Sequence, residues 1–320
     1  MAIQSVTRVF YITLLILPLL HSCTNGETEL EDSEEIKQPI ELKYQEFKID
    51  PNTNSKITGT SGTIIEFTAG CFEVPSNQDS LTLLLYEAYT PAQFLLGNIT
   101  TTTNQGDILS TNGAIQIVAL RGRDTVELKP DSALRVGFKR ISKWDNPPLL
   151  FFGSRIDGKV VWNDRHAKST ESDTPSDSIE VEGVLVNRAD HQNYGLMEYY
   201  LYEVNDLGWL NSDLYPTDTV PKCDLRLTAN LLLKASDWLI FPSQHGACSA
   251  YWKNGQKSFF HVPINAEVVY VSFYTDDSLL YFHSSKHLVQ PDVEFLPVYH
   301  RLTGRDALAD SINRLGWQAL

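Results

Sequence analysis

Basic side chains are in short supply. Lys and Arg number 26 against 40 Asp and Glu, a formal charge of −14. No basic stripe interrupts that balance, and nucleic-acid binding depends on Lys and Arg neutralising phosphates, so a nucleic-acid partner is excluded. Docking on anionic lipid by charge is excluded for the same reason. Cysteine is sparse too, at 4 residues, and no pair has the CxxC spacing of a structural zinc site. Long apolar runs are missing: the one that stands out, Val9–Leu20, holds about 12 residues, short of the ~20 that cross a bilayer as a helix. GxSxG, P-loop and GxGxxG patterns do not occur, and neither does HExxH. No catalytic residues, cofactor or metal site are therefore expected.

What the N-terminus does have is an address. Arg8 precedes the apolar run, which fits the roughly 7–15 residues of a signal-peptide core, and Pro18 disfavours a spanning helix. The run closes on Leu20-His-Ser-Cys23, which resembles a bacterial lipobox, with an unusual His21 in the middle position. The resemblance implies cleavage before Cys23, acylation of its thiol and new N-terminus, and stable anchoring in a lipid bilayer by more than one chain. The alternative is a plain secretory signal with Cys23 incidental. An acidic run follows, containing Glu27, Glu29, Glu31, Asp32, Glu34 and Glu35. Like charges with few apolar neighbours do not bury enough surface to fold, so this is a solvated tether. Acidic residues at this place also resemble the surface-export signal of Bacteroidota-type lipoproteins, which implies the outer face of the outer membrane. A simple spacer on either face is the other reading.

About 300 residues remain after the leader, enough for two ordinary domains. From about Leu42 the pattern is short β-rich segments divided by Gly, Asn, Asp and Pro. Leu81–Tyr89, Gly113–Leu120, Ala133–Phe138 and Leu149–Phe152 read as strands, and Asp157-Gly158 before Lys159–Trp162 is a strong hairpin signal. Ser169–Ser178 is polar throughout except Pro175 and reads as a linker. Beyond it, Ile179–Val186, Tyr199–Val204, Leu225–Leu233, Trp238–Phe241, Ser258–Val262, Glu267–Tyr274 and Leu279–Phe282 supply more strands. Thr303-Gly-Arg-Asp306 reads as a variant capping box, with Leu308, Ile312 and Leu315 on one helical face.

The fold class expected is thus mainly β: two β-sandwich-like domains after a lipoprotein signal peptide and acidic tether, with one short C-terminal helix. The segments are signal peptide 1–22, tether 23–45, first sandwich 46–168, linker 169–178, second β-rich domain 179–304 and helix 305–320. Within the first sandwich, Phe67-Thr-Ala-Gly-Cys-Phe72 resembles the "IPAGAF" segment of ZU5-like modules, with Thr68 and Cys71 as departures. Leu95–Thr103, Leu109–Gly113, Phe152-Gly153 and Val161-Trp162 follow in the order of the bacterial versions, and Leu207-Gly-Trp-Leu-Asn211 resembles the segment after the module. The resemblance implies a scaffold or interaction domain, with no catalytic residues to carry over.

Three side-chain groups invite chemistry. Cys223 and Cys248 can bridge in an oxidising envelope, closing a loop of about 25 residues worth about 3 kcal/mol, or stay apart. Tyr199, Tyr200, Tyr202 and Trp209 offer an aromatic platform for a sugar or peptide, or else pack in the core. His283 and His287 are spaced like helical metal ligands but follow a strand pattern, and His261, His283 and His300 can converge across strands. Asp-Ser/Thr-apolar triplets recur, as at Asp124, Asp131, Asp277 and Asp310. They resemble an O-glycosylation motif of Bacteroidota envelope proteins, or mark turns that enter strands. The function expected is a lipid-anchored, outward-facing binding or scaffold module for an envelope protein or glycan partner. The alternatives are a structural, adhesion or motility accessory, and a glycan or peptide hydrolase.

Overall fold

The computed structural model describes residues 42–75, 80–141, 144, 148–163, 184–186, 199–215, 220–227, 234–253 and 255–317. Cys23, the leader, the acidic run and the linker at 169–178 lie outside the described residues. All described residues fall within the compact unit Glu34–Leu320.

The chain is mainly β, with two short helices. In order come β1 (Gln45–Ile49), β2 (Ser55–Thr58), β3 (Ile64–Phe67), β4 (Leu81–Ala88), α1 (Pro91–Leu96), β5 (Ile99–Thr103), β6 (Ser110–Arg121) and β7 (Asp124–Val126). Next are β8 (Leu134–Lys139), β9 (Leu149–Ile156), β10 (Lys159–Asn163), β11 (Val184–Val186), β12 (Tyr199–Val204) and β13 (Gly208–Leu214). These pair into two sheets. One runs β1-β4-β6-β13-β9-β10-β5 with β7 on β6, and the other runs β11-β12-β8-β3-β2. The pair β10–β5 is parallel; the other pairings in these two sheets, among the described residues, are antiparallel.

A second set follows: β14 (Lys222–Arg226), β15 (Ser236–Phe241), β16 (Gly246–Ser249), β17 (Tyr251–Lys253), β18 (Gln256–Pro263), β19 (Glu267–Asp276), β20 (Leu279–Leu288), β21 (His300–Leu302) and α2 (Arg305–Arg314). Its two sheets run β14-β18-β17 and β16-β15-β19-β20-β21.

Sheet pairing runs across the expected linker. Tyr199–Val204 pairs with β8, and Trp209 and its neighbours pair with both β6 and β9, so these strands complete the first sandwich. The boundary set at 169–178 corresponds to a polar stretch within that sandwich's sequence, and the change to the second pair of sheets falls between β13 and β14. Composition marks where a chain leaves a core, but it does not tell whether the chain returns.

Three large cores and one small cluster are formed by the described residues. The first holds Leu83, Leu85, Ile117, Val136, Phe138 and Tyr202 between the two sheets of the first sandwich. The second lies on the opposite face of the large sheet, where Tyr86, Phe151, Trp162 and Trp209 meet Phe94 of α1, Leu308 and Ile312 of α2, and Trp238, Ile240 and Val271. The third joins Leu225, Phe259 and Val262 to Leu239, Tyr270, Val289 and Phe295. The sequence of β4 records this layering. Leu81–Leu84 alternates between one buried and one half-buried face, whereas Leu85–Ala88 is buried on both, because the second core covers that end. A strand enclosed on two sides has no reason to alternate.

Polar side chains tie the layers. Thr101 Oγ1 accepts from Ala247 N–H at 2.9 Å. Lys159, 6% exposed, donates to Ala250 O at 2.8 Å and lies 4.1 Å from the Tyr251 ring centre. Helix α1 begins at a capping box in which Thr90 and Gln93 satisfy each other's backbone N–H. Helix α2 does not use the expected box: its N-cap is Gly304, without a side-chain cap.

Candidate functional site

The aromatics proposed as a platform are core residues. Tyr199, Tyr200, Tyr202 and Trp209 are 4%, 1%, 1% and 7% exposed. Alternation sends Tyr200 and Tyr202 to the face packed in the first core and Tyr199 to the other, where it clusters with Ile64 and Leu201. Trp209 lies under the Arg155 guanidinium, 5.5 Å from its ring. Tyr202 OH donates to Pro148 O at 3.0 Å and is 2.7 Å from Ser212 Oγ, the satisfied hydroxyl of a buried tyrosine.

Of the two readings of the cysteine pair, the unbridged one holds. Cys223 and Cys248 are free thiols, one on β14 and one on β16, in separate sheets. Cys248 is buried in the third core, which pushes its thiol up to about 12 and leaves it inert at neutral pH. Cys71 is buried as well.

Two grooves open on the first sandwich. One, about 570 Å³, crosses the second sheet's outer face beside Lys56, Glu66, Arg135 and Glu203. Glu66 there meets Lys56 at 3.5 Å and Arg135 at 3.9 Å. The other, about 510 Å³, lies between Tyr44, Tyr86, Glu87 and Arg305. Its carboxylate is committed to folding. Glu87 accepts from Ser61 N–H at 2.8 Å, Thr63 N–H at 2.9 Å and Gln45 Nε2 at 2.7 Å. Gly59 makes that approach possible, since a Cβ there would come within 2.6 Å of the carboxylate.

The densest group of titratable side chains lies instead on the face of β15, β19 and β20 that meets the third core. Period 2 puts Asp237, Tyr270, Ser272, Tyr274, Tyr281, His283, Ser285 and His287 on this face, in register across the strands. The three-stranded sheet covers one part. An extended strap, residues 289–299, crosses the other, inserting Phe295 and Tyr299 while turning Leu296 and Val298 outward.

At the buried end, Lys257 Nζ lies 2.7 Å from Asp237 Oδ2 and also donates to Ala235 O. Tyr270 OH donates to Asp237 Oδ1 at 2.6 Å. Burial, and then the Asp237 charge, hold the Tyr270 phenol far above its ordinary range. Ser272 Oγ is 2.7 Å from Tyr299 OH, and burial raises that phenol to about 12. Both tyrosines are therefore neutral at physiological pH. At the strap, His283 and His287 are held below the usual imidazole range, chiefly by burial. Ser285 Oγ lies between them, at 3.0 and 2.7 Å from their Nε2 atoms. Tyr274 stacks on Tyr281 at 4.8 Å with Tyr299 edge-on.

Of the histidines that could converge across strands, only some do. His283 is joined by His287 and senses His300, while His261 stands apart on β18, its N–H donating to Asp224. Among the described residues no group of three or more His, Cys, Asp or Glu is arranged to hold a metal. Of the Asp-Ser/Thr-apolar triplets, Asp277-Ser278 forms a left-handed turn and Asp131 has a positive φ, whereas Ser311 sits inside α2, donating to Ala307 O. The His283-Ser285-His287 pattern was readable as one face of a strand; weighing the pair as a helical i, i+4 motif hid it.

Compared with known proteins, the chain matches no family model, no curated protein and no solved structure.

Proposed function

We propose that this chain is a lipid-anchored envelope module, held by acylated Cys23 on the outward face of the outer membrane, that binds or scaffolds a protein or glycan partner without chemistry of its own. The observation that carries the reading is the strap. Leu296 and Val298 are 67% and 79% exposed on a segment whose alternate residues, Phe295 and Tyr299, are rooted in the fold. Exposed apolar side chains on a fixed base are what a recognition surface requires. The lipobox, the acidic run and the ZU5-like segment order support the anchored, scaffold-type reading. Asp237, the carboxylate with a cationic partner on the same face, is neutralised by Lys257 and buried, so it lacks access to a substrate.

Two measurements test this. Detergent-phase partitioning of wild type and Cys23→Ser should show the anchor lost with the thiol; partitioning unchanged in the variant would contradict it. A glycan array and cross-linking to envelope proteins, run with wild type and Leu296→Asp/Val298→Asp, should give a signal that the double variant loses. The hydrolase alternative attaches to the groove holding Glu66 and Glu203. Glycan or peptide turnover abolished by Glu66→Gln would favour it.

A further inference from the structure

The middle of the large sheet buries a hydroxyl, a carboxamide and a carboxyl against one another. Strands β6 and β13 are its third and fourth members. Their register places Thr111 opposite Asp213, with Asn211 two residues along β13 on the same face. The ladder shifts between Asn211 and Asp213. Gly113 lies in the extra stretch of β6 at φ 135°, and the Tyr89 ring occupies the space a Cβ would need there. Thr111, Asn211 and Asp213 are all 0% exposed. Thr111 N–H donates to His245 O at 3.2 Å, so the turn between β15 and β16 lies over the site.

Thr111 Oγ1 accepts the Gly113 N–H at 3.0 Å and donates to Asn211 Oδ1 at 3.0 Å. The amide carbon is one C=O bond from Oδ1, about 1.23 Å, so it lies within about 4.2 Å of the hydroxyl oxygen. Attack distance is about 3–3.5 Å, a shift that side-chain rotation supplies. At its other end the amide meets Asp213, with Nδ2 donating to Oδ2. The Thr111 hydroxyl is close enough to the same carboxyl to lower its pKa, against the larger upward push of burial. Asp213 Oδ1 is buried with no hydrogen-bond partner among the described residues. Turning the amide over exchanges its oxygen and nitrogen but leaves Thr111 at one end and Asp213 at the other.

We propose that Thr111 and Asn211 condense to an ester that cross-links β6 to β13, with Asp213 carrying the proton. Thr111 Oγ1 bonds to Asn211 Cγ while its hydrogen passes to Asp213 Oδ1, and Asp213 passes a proton to Nδ2. The Cγ–Nδ2 bond then breaks and ammonia leaves with the bonding pair. The carboxyl ends in the protonation state in which it began, and no oxidant, cofactor or second substrate is consumed. Holding the two groups in contact raises their effective concentration, as in any well-oriented intramolecular reaction. Exclusion of water protects the ester from hydrolysis. The link closes residues 111–211 into a ring, fastening a strand that joins the sandwich late in the chain to its neighbour at the sheet's centre. It forms once, within the chain, and does not rest on the functional reading above.

Tryptic mapping of the full wild-type chain by mass spectrometry tests it. Peptides 57–121 and 189–222 should appear joined, at the sum of their masses less one ammonia. Hydroxylamine, which cleaves esters and spares ordinary amides, should part them. Thr111→Ser keeps a hydroxyl and should stay joined, whereas Thr111→Val and Asp213→Asn should give separate peptides with Asn211 intact. Should those variants not fold, the wild-type map decides alone. Separate wild-type peptides of full mass would overturn the ester. So would ammonia lost from 189–222 without a link, the mark of Asn211 cyclising on its own backbone, or a link that survives hydroxylamine or Thr111→Val. A link that survives Asp213→Asn would overturn the part given to Asp213.

Discussion

Asp213 and Asp237 are two buried aspartates that the fold treats in opposite ways. Asp237, in the sheet beneath the strap, faces an ammonium and a phenol that both contact it. Asp213, at the end of β13 in the first sandwich, is fully buried among neutral groups, with Asn211 Nδ2 donating to it and Thr111 beside it. Burial raises its pKa well above the ordinary carboxyl value, with those hydrogen bonds only partly offsetting the shift. The first sandwich thus holds an acid whose burial favours its protonated form, whereas the strap sheet holds one that faces a cation. The difference lies in the partners: a carboxylate out of water needs a cation, or it takes up a proton.

Breaking the compensated site should give the largest effect. Lys257→Met takes the cation away from Asp237, and chemical denaturation should show a loss of about 3–5 kcal/mol; the double variant Lys257→Met/Asp237→Leu should recover most of it, since an ion pair replaced whole costs little. Tyr270→Phe removes one donor to the carboxylate and should cost about 1.5–3 kcal/mol by the same assay. A sharper contrast comes from pH. Between the unfolded carboxyl value of about 3.9 and the raised folded value of Asp213, the folded chain holds the extra proton, so its stability falls as pH rises through that window. Asp213→Asn should remove that decline, its melting temperature gaining on wild type from about pH 4 to about pH 8. A constant difference across that range would mean that Asp213 is ionised in the folded chain.

Much of the β framework was legible. The hairpin at Asp157-Gly158 has both residues at positive φ, at 48° and 76°, as its turn chemistry requires. Period and punctuation gave strands at Leu81–Tyr89 and Glu267–Tyr274 and a helix over 305–320, which form as Leu81–Ala88, Glu267–Asp276 and Arg305–Arg314. Helix α1 was missed although Thr90-Pro-Ala-Gln93 spells its cap, because six residues give too little periodicity to outweigh the strands around them. The burial of Tyr199, Tyr200 and Tyr202 was beyond local reading, since it depends on which residues distant in sequence pack beside them, Leu83 and Phe138 among them on one face and Ile64 on the other. The same limit hid the return of β12 and β13 to the first sandwich, a matter of long-range pairing. Most elusive was the strap, whose Gln290–Val298 stretch carries no period at all yet supplies Phe295 to the third core.

The central claim is that recognition belongs to the strap and that the first sandwich is its support. Photo-cross-linking on intact cells, with a photoreactive residue placed at Val298 or, for comparison, at Arg135 in the first sandwich's groove, tests that division directly. A discrete adduct from position 298 and none from position 135 is the result expected; an adduct from 135 alone would move the binding surface to the groove and contradict the account.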